Sequence, residues 1–193
     1  MKDVALLARD VGVSERTLRR ALHQGTLRAS RPTAKSLDLP LSERVYVRRS
    51  WPLLSTLRAA LRTEQNVRFA LLFGSTAAGT DRAESDVDVL VDLRDSSLER
   101  LVDLSTKLAD LIGRPVDIVR LQTLATDPAA LAEVLGEGRV LVDREGSWSR
   151  LSRQVPKLQL RGRDEDARLT EAALAGIDRL LAEEDVESRA TAG

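Results

Sequence analysis

Three short runs of this 193-residue chain carry side chains that can do chemistry together. Gly74-Ser75 directly follows the apolar run from Val67 to Phe73 and stands where a helix is expected to begin. Backbone N–H groups and a hydroxyl at such a turn can cradle a triphosphate. Asp86-Val87-Asp88 opens a second apolar run, and the two-residue alternation of a strand turns Asp86 and Asp88 the same way. Asp117, flanked by Val116 and Ile118, is expected on a third strand that reaches the same face. Three carboxylates beside a phosphate cradle describe a two-metal magnesium site for phosphoryl or nucleotidyl transfer. One ion would bridge Asp86, Asp88 and the β/γ-phosphates; the other would sit between the carboxylates and the nucleophile. Asp117 either holds the second ion or accepts the nucleophile's proton.

The elements that must position these groups follow from hydropathy patterning. Strands are predicted at 67–73, 86–91, 115–119 and 139–142. Ser96 with Glu99 reads as a capping box opening a helix near 97–112, with Leu98, Leu101, Leu104, Leu108 and Leu111 inward and Gly113 as its stop. Asp127-Pro128 starts another helix. Residues 146–163 read as an irregular or partly helical link. A polar helix follows from 164 to about 184, whose stripe of Leu169, Leu174 and Leu181 is expected to close onto the core, the alternative being a dimer interface.

Composition limits the chemistry. There is no cysteine, and His23 is the single histidine, so thiolate zinc sites, cysteine nucleophiles and multi-histidine metal sites are excluded. Any metal must be a hard cation on carboxylate oxygens. Aromatic residues are 3% of the chain, too few for a stacking platform for single strands. No apolar run reaches membrane length and the first residues form no signal peptide, so the expected location is cytoplasmic, with no membrane contact.

The formal net charge is zero, but the charges are segregated. Up to Arg68 there are 14 Lys/Arg and 6 Asp/Glu; beyond it, 16 and 24. A basic first third suits a polyanion. Val4, Leu7, Ala8 and Val11 mark one helical face, Gly12 a turn, and Ser14 the N-cap of a second helix with Leu18, Ala21 and Leu22 inward. Together they resemble the bacterial helix-turn-helix pattern. The outward face of the second helix offers Arg16, Thr17, Arg19 and Arg20 as DNA contacts, and such readers commonly act as homodimers. The bland alternative is a helical hairpin with a solvated face. Residues 26–49, with the run Val45-Tyr46-Val47-Arg48-Arg49, read as a short β-wing, loosely similar to that of MerR-like regulators. Ser50 and Pro52 then open a connecting helix with Leu53, Leu54, Leu57 and Leu61 inward.

The spacing Phe73-Gly74-Ser75, ten residues, Asp86-Val87-Asp88-Val89, with Val116-Asp117-Ile118 as third carboxylate, resembles the signature of the DNA polymerase beta-type nucleotidyltransferase superfamily. It looks most like the minimal branch often paired with HEPN-domain toxins. That branch often has arginine after Gly-Ser; here Thr76 stands there, and Arg82 is the compensating charge. The resemblance implies an α+β fold, a small mixed β-sheet flanked by helices, preceded by a helix-turn-helix domain. The expected organisation is 1–49 DNA-binding, 50–66 connecting helix, 67–145 nucleotidyltransferase and 146–193 linker and C-terminal helix. It implies a nucleotide site at Gly74, Ser75, Thr76 and Arg82, with Asp86, Asp88 and Asp117 as catalytic and metal-holding groups. It further implies transfer of AMP from ATP to a tyrosine of a HEPN-type toxin, with this chain as antitoxin. The alternative is a DNA-binding regulator whose nucleotidyltransferase-like domain senses nucleotide or a partner.

Overall fold

A computed structural model describes the backbone of residues 2–33 and 36–191, and side chains over 4–29 and 39–175. The chain opens with α1 (Lys2–Asp10) and α2 (Glu15–His23). Ser14 caps α2, its Oγ accepting from the Thr17 N–H at 3.1 Å. This satisfies one of the donors that a helix start leaves unpaired. Val4, Leu7 and Ala8 of α1 meet Leu18 and Ala21 of α2, all buried. The two helices therefore pack on the faces expected from the sequence.

The β-ribbon lies within the predicted 26–49, but the run 45–49 is not part of it. Strands β1 (Ser30–Thr33) and β2 (Ser36–Asp38) pair antiparallel, while 45–49 belongs to α3 (Leu41–Thr63). Val45 and Val47 suggest a strand by β-branching, yet the buried set Glu43, Tyr46, Val47, Ser50, Trp51, Leu54, Leu57, Arg58 and Leu61 recurs with helical period. Pro52 lies inside this helix rather than at its start. The helix therefore begins at Leu41, nine residues before the expected Ser50.

Strands β3 (Val67–Phe73), β4 (Val87–Leu93), β5 (Val116–Arg120) and β6 (Arg139–Asp143) form one mixed sheet in the order β5-β4-β3-β6. β3 runs antiparallel to both of its neighbours, and β4 pairs parallel with β5. The parallel pair needs a crossover, which α5 (Leu98–Ile112) supplies. α5 is flanked at its start by Ser97, whose side chain makes no cap bond, so the predicted capping box is not formed. Ser97 N–H instead donates to Asp95 Oδ1 at 3.0 Å. Leu104 and Leu108 are buried, whereas Leu98 and Leu111, expected inward, are exposed.

Successive residues of β3 serve opposite layers. Ala70 and Leu72 join an apolar cluster with α3 and α5, while Phe69 and Leu71 pack with Leu131 and Leu135 of α7 (Pro128–Glu137) and Leu151 and Leu158 of α8 (Ser147–Thr191). A strand buried on both faces is expected to be apolar, as β3 is from Phe69 to Phe73; Arg68, near its start, pairs with Asp92 at 2.6 Å instead. The short α4 (Gly74–Ala78) and α6 (Leu121–Leu124) complete the chain's elements, and α7 is capped by Asp127 as expected.

The region 146–163 is not a link: it is the first part of the 45-residue α8. Asp143, the last residue of β6, caps this helix by accepting from the Ser147 and Trp148 N–H groups at 2.9 and 3.0 Å. Gly162 lies where α8 passes over α7; a Cβ there would be 2.8 Å from Ala129 Cβ. Beyond it, Leu169 and Leu174 are exposed, so this part of the stripe does not close onto the core; the side chain of Leu181 lies outside the described residues. No helix among the described residues is long and apolar enough to cross a membrane.

One apolar cluster runs without interruption from Val4 through Leu18, Val47 and Leu54 to Leu72 of the sheet. A polar joint reinforces it. Arg139, 2% exposed, grips both carboxylate oxygens of Glu43 at 2.6 and 3.0 Å. Its guanidinium lies 3.5 Å from the centroid of the Tyr46 ring, and its Nε donates to the Ala77 carbonyl at 2.7 Å. Such a two-point pair fixes direction as well as distance.

Candidate active site

The candidate site forms at one end of β3, β4 and β5. Asp88 pairs in register with Phe73 on one side and with Asp117 on the other. Phe73 is followed at once by Gly74-Ser75, so sheet register alone puts a carboxylate pair next to the turn. Gly74 has φ +67°, and a Cβ there would fall 2.3 Å from Asp88 Oδ2. Glycine is thus required both by the backbone conformation and by the close approach of the carboxylate. Asp86 stands just before β4 and is exposed, as is Asp117; Asp88 is half-buried.

The Asp88 carboxyl is pushed above its usual range, first by burial and then by the nearby charges of Asp117 and Asp86. The three predicted carboxylates therefore share one electrostatic neighbourhood. Among the described residues, however, no three Asp, Glu or His side chains close to a coordination cluster. Mutual repulsion keeps like charges apart. The donor set still fits magnesium: it is all carboxylate oxygen, which suits a hard cation, and the repulsion raising Asp88 is what a bound divalent ion would relieve.

The nucleotide-side residues divide differently. Gly74 and Ser75 occupy the first positions of α4, following β3 as predicted. Thr76 is buried, 1% exposed, and its hydroxyl donates to the Asp86 carbonyl at 3.4 Å. It ties the turn to the carboxylate strand. Arg82 is exposed, and its backbone N–H donates to Ser85 Oγ at 2.9 Å.

Sequence spacing gave no warning of the arginines that hold the loop between the two motifs. Arg114 donates to the Ser85 carbonyl at 2.6 Å, to Asp81 Oδ2 at 3.0 Å and to Thr76 Oγ1 at 3.4 Å. Arg49, from α3, reaches the Gly79 carbonyl at 2.9 Å and Asp81 Oδ1 at 2.6 Å. Tyr46 donates its hydroxyl to the Thr76 carbonyl at 3.2 Å, and burial raises its pKa. These side chains come from positions 46, 49 and 114, outside any linear motif, so only the tertiary fold reveals them. They anchor the loop from both sides.

On α2, Arg16, Thr17 and Arg20 are exposed, whereas Arg19 is held by Glu15 at 2.5 Å one turn earlier. Of the four predicted DNA contacts, Arg16 and Arg20 are open, Thr17 is exposed with its hydroxyl bonded to Ser14 Oγ at 2.8 Å, and Arg19 is paired within its own helix.

Comparison with known proteins agrees with this geometry. Residues 55–147 match the family model for polymerase beta nucleotidyltransferases. Protein adenylyltransferase MntA of Thermococcus cleftensis is 36% identical over 73 residues, 37% of this chain and 74% of that protein. A Methanocaldococcus jannaschii relative is 35% identical over 60 residues; the match spans 31% of this chain and 61% of its own length. A solved toxin–antitoxin structure with AMP-PNP superposes with TM-score 0.52 at 20% identity, covering 63% of this chain and 98% of the other. At that identity the superposition speaks for the fold. Motif, sheet register and sequence matches meet on one segment, and by them the chain belongs to the polymerase beta-type nucleotidyltransferase family.

Proposed function

We propose that this protein transfers AMP from ATP to a hydroxyl of a partner protein, a tyrosine of a HEPN-type toxin, and so acts as an antitoxin. The observation that carries the reading is the in-register pairing of Asp88 with Asp117 beside the Gly74 turn. The relative named a protein adenylyltransferase supports adenylyl transfer to a protein, and the toxin–antitoxin neighbour supports the choice of a toxin as partner.

In this reading the acceptor oxygen attacks the α-phosphorus of ATP. The bond to the oxygen bridging the α- and β-phosphates breaks, pyrophosphate leaves, and the hydroxyl proton passes to Asp117. Gly74 and Ser75 receive the phosphates on backbone N–H groups and a hydroxyl. Asp86 and Asp88 would hold magnesium, which would neutralise phosphate charge and lower the pKa of the attacking hydroxyl, leaving Asp117 as the base. Thr76, Arg49 and Arg114 keep the turn and the carboxylate strand at a fixed separation, a positioning role.

The test is transfer of label from ATP carrying it on the α-phosphate, with magnesium and host lysate. Wild-type protein is expected to label one protein band, and Asp86→Asn none. Label in RNA or a small molecule would retain the transferase and discard the antitoxin.

A second reading rests on the open basic groups of α2. In it, Arg16, Thr17 and Arg20 contact duplex DNA and the nucleotidyltransferase domain senses nucleotide or partner. It expects salt-sensitive DNA binding that disappears when Arg16 and Arg20 are replaced by Gln.

A further inference from the structure

A concentration of basic charge lies away from the sheet, in a cavity of about 260 Å³ between α2 and α3. Arg16 and Arg20 enter it from α2, Arg58 and Arg62 from α3, and Trp51 and Thr17 complete the walls. No Asp or Glu among the described residues lines it. Among the described residues, Arg16, Arg20 and Arg62 make no ion pair, and the nearest acidic side chain on α2, Glu15, is taken by Arg19.

Arg58 is the informative member. It is 6% exposed, and a buried guanidinium ordinarily faces a carboxylate. Here its side-chain partners are neutral: Nη1 donates to Thr26 Oγ1, and Nη2 to Gln24 Oε1 at 2.5 Å. Burial, with repulsion from Arg62 and Arg20, lowers its pKa to about 10. A cation buried among cations and neutral oxygens is a cost that a bound anion would offset. A guanidinium has five N–H donors, so two spent on Thr26 and Gln24 leave others for a ligand. Guanidinium groups favour phosphate because the planar fork matches its oxygens. The first turn of α2, at Arg16 and Thr17, adds the positive end of a nine-residue helix.

We propose that the cavity between α2 and α3 is a phosphate-binding site, separate from the carboxylate site, in which Arg58 forms the floor and Arg16, Arg20 and Arg62 the rim. The phosphate belongs either to a free polyphosphate, such as a nucleotide or pyrophosphate, or to a nucleic-acid backbone. The site stands independently of the transfer reaction, since it uses no residue of the sheet end.

Trp51 makes the cavity observable. The chain has two tryptophans, so Trp148→Phe leaves Trp51 as sole emitter. Full-length Trp148→Phe protein is titrated, without magnesium and at constant ionic strength, with inorganic pyrophosphate and separately with a short duplex DNA. Saturable change with pyrophosphate, weakened about tenfold or more in Arg16→Gln/Arg62→Gln, establishes a site for free polyphosphate; that loss is the scale of one charged hydrogen bond. The same dependence with duplex DNA alone establishes the site with the backbone as source. Absence of a saturable change with either, or a change indifferent to the rim substitutions, overturns the proposal. Arg58→Gln removes the floor; where that protein fails to fold, the exposed rim pair still decides. Asp88→Asn separates the two sites. The Trp51 signal is expected unchanged in it, and loss of the signal there would assign it to the carboxylate site and overturn the proposal.

Discussion

The molecule has two charged regions built on opposite principles. At the sheet end, Asp86, Asp88 and Asp117 are gathered by strand register, and two short linear motifs nearly define the place. Between α2 and α3, Arg16, Arg20, Arg58 and Arg62 are gathered by the packing of two helices some forty residues apart in sequence. The first arrangement repels itself and awaits a cation; the second repels itself and awaits an anion. Where strands supply the groups, spacing of two residues and a following glycine are enough to read them. Where helices supply them, the sequence shows only an arginine-rich stretch with many solvated alternatives.

The joint between these regions gives the largest expected effect. Arg139→Met leaves Glu43 buried and unpaired, a loss of about 3–5 kcal/mol. Urea denaturation should show a much lower midpoint, with Arg139→Met/Glu43→Met recovering most of it. Recovery is expected because both charges are then gone together.

Gly74→Ala comes next. It forces a left-handed backbone on alanine and drives its Cβ into Asp88, at about 1–3 kcal/mol of strain. Thermal unfolding should shift down, and labelled-ATP transfer should fall further than stability explains.

Arg114→Gln sharpens the comparison on the positioning side. It releases Ser85 and Thr76 and leaves Asp81 to Arg49 alone, with every motif residue intact. We expect about tenfold slower transfer, near 1.4 kcal/mol, with the unfolding midpoint little changed. Leu169→Ser marks the lower end: this exposed leucine beyond the α7–α8 contact should alter stability by no more than about 0.5 kcal/mol in the same urea assay.

Much of the carboxylate site was legible because its parts are local. Gly74-Ser75 follows β3 directly, and Asp88 and Asp117 sit in strands whose apolar flanks announce them. The four strands of the sheet, Ser14 and Asp127 as caps, and the stop at Gly113 were also readable. Misreadings arose where local signals conflict with tertiary packing. Pro52 looks like a helix start, but the buried period running from Glu43 to Leu61 carries α3 through it. Residues 146–163 read as an irregular or partly helical link, but Asp143 caps the helix from the preceding strand and Gly162 serves close packing on Ala129. Ser96 and Glu99 have capping-box spacing, yet Asp95 takes the Ser97 N–H and α5 starts one residue later than that box requires. Arg49, Arg114 and Arg58 were not legible, because their partners are loop carbonyls, the loop carboxylate of Asp81 and neutral side chains that no spacing encodes.

The central claim is that the acidic sheet end performs transfer and the basic cavity does not. Its most direct test is the single-turnover rate of label transfer from α-labelled ATP in Asp88→Asn and in Arg16→Gln/Arg62→Gln, each checked for a native unfolding midpoint. The account predicts a loss of about 100-fold or more in Asp88→Asn, the scale of removing a preorganised charged group at a reacting phosphate, and a wild-type rate in the arginine pair. A folded Asp88→Asn protein that transfers label at the wild-type rate would contradict it.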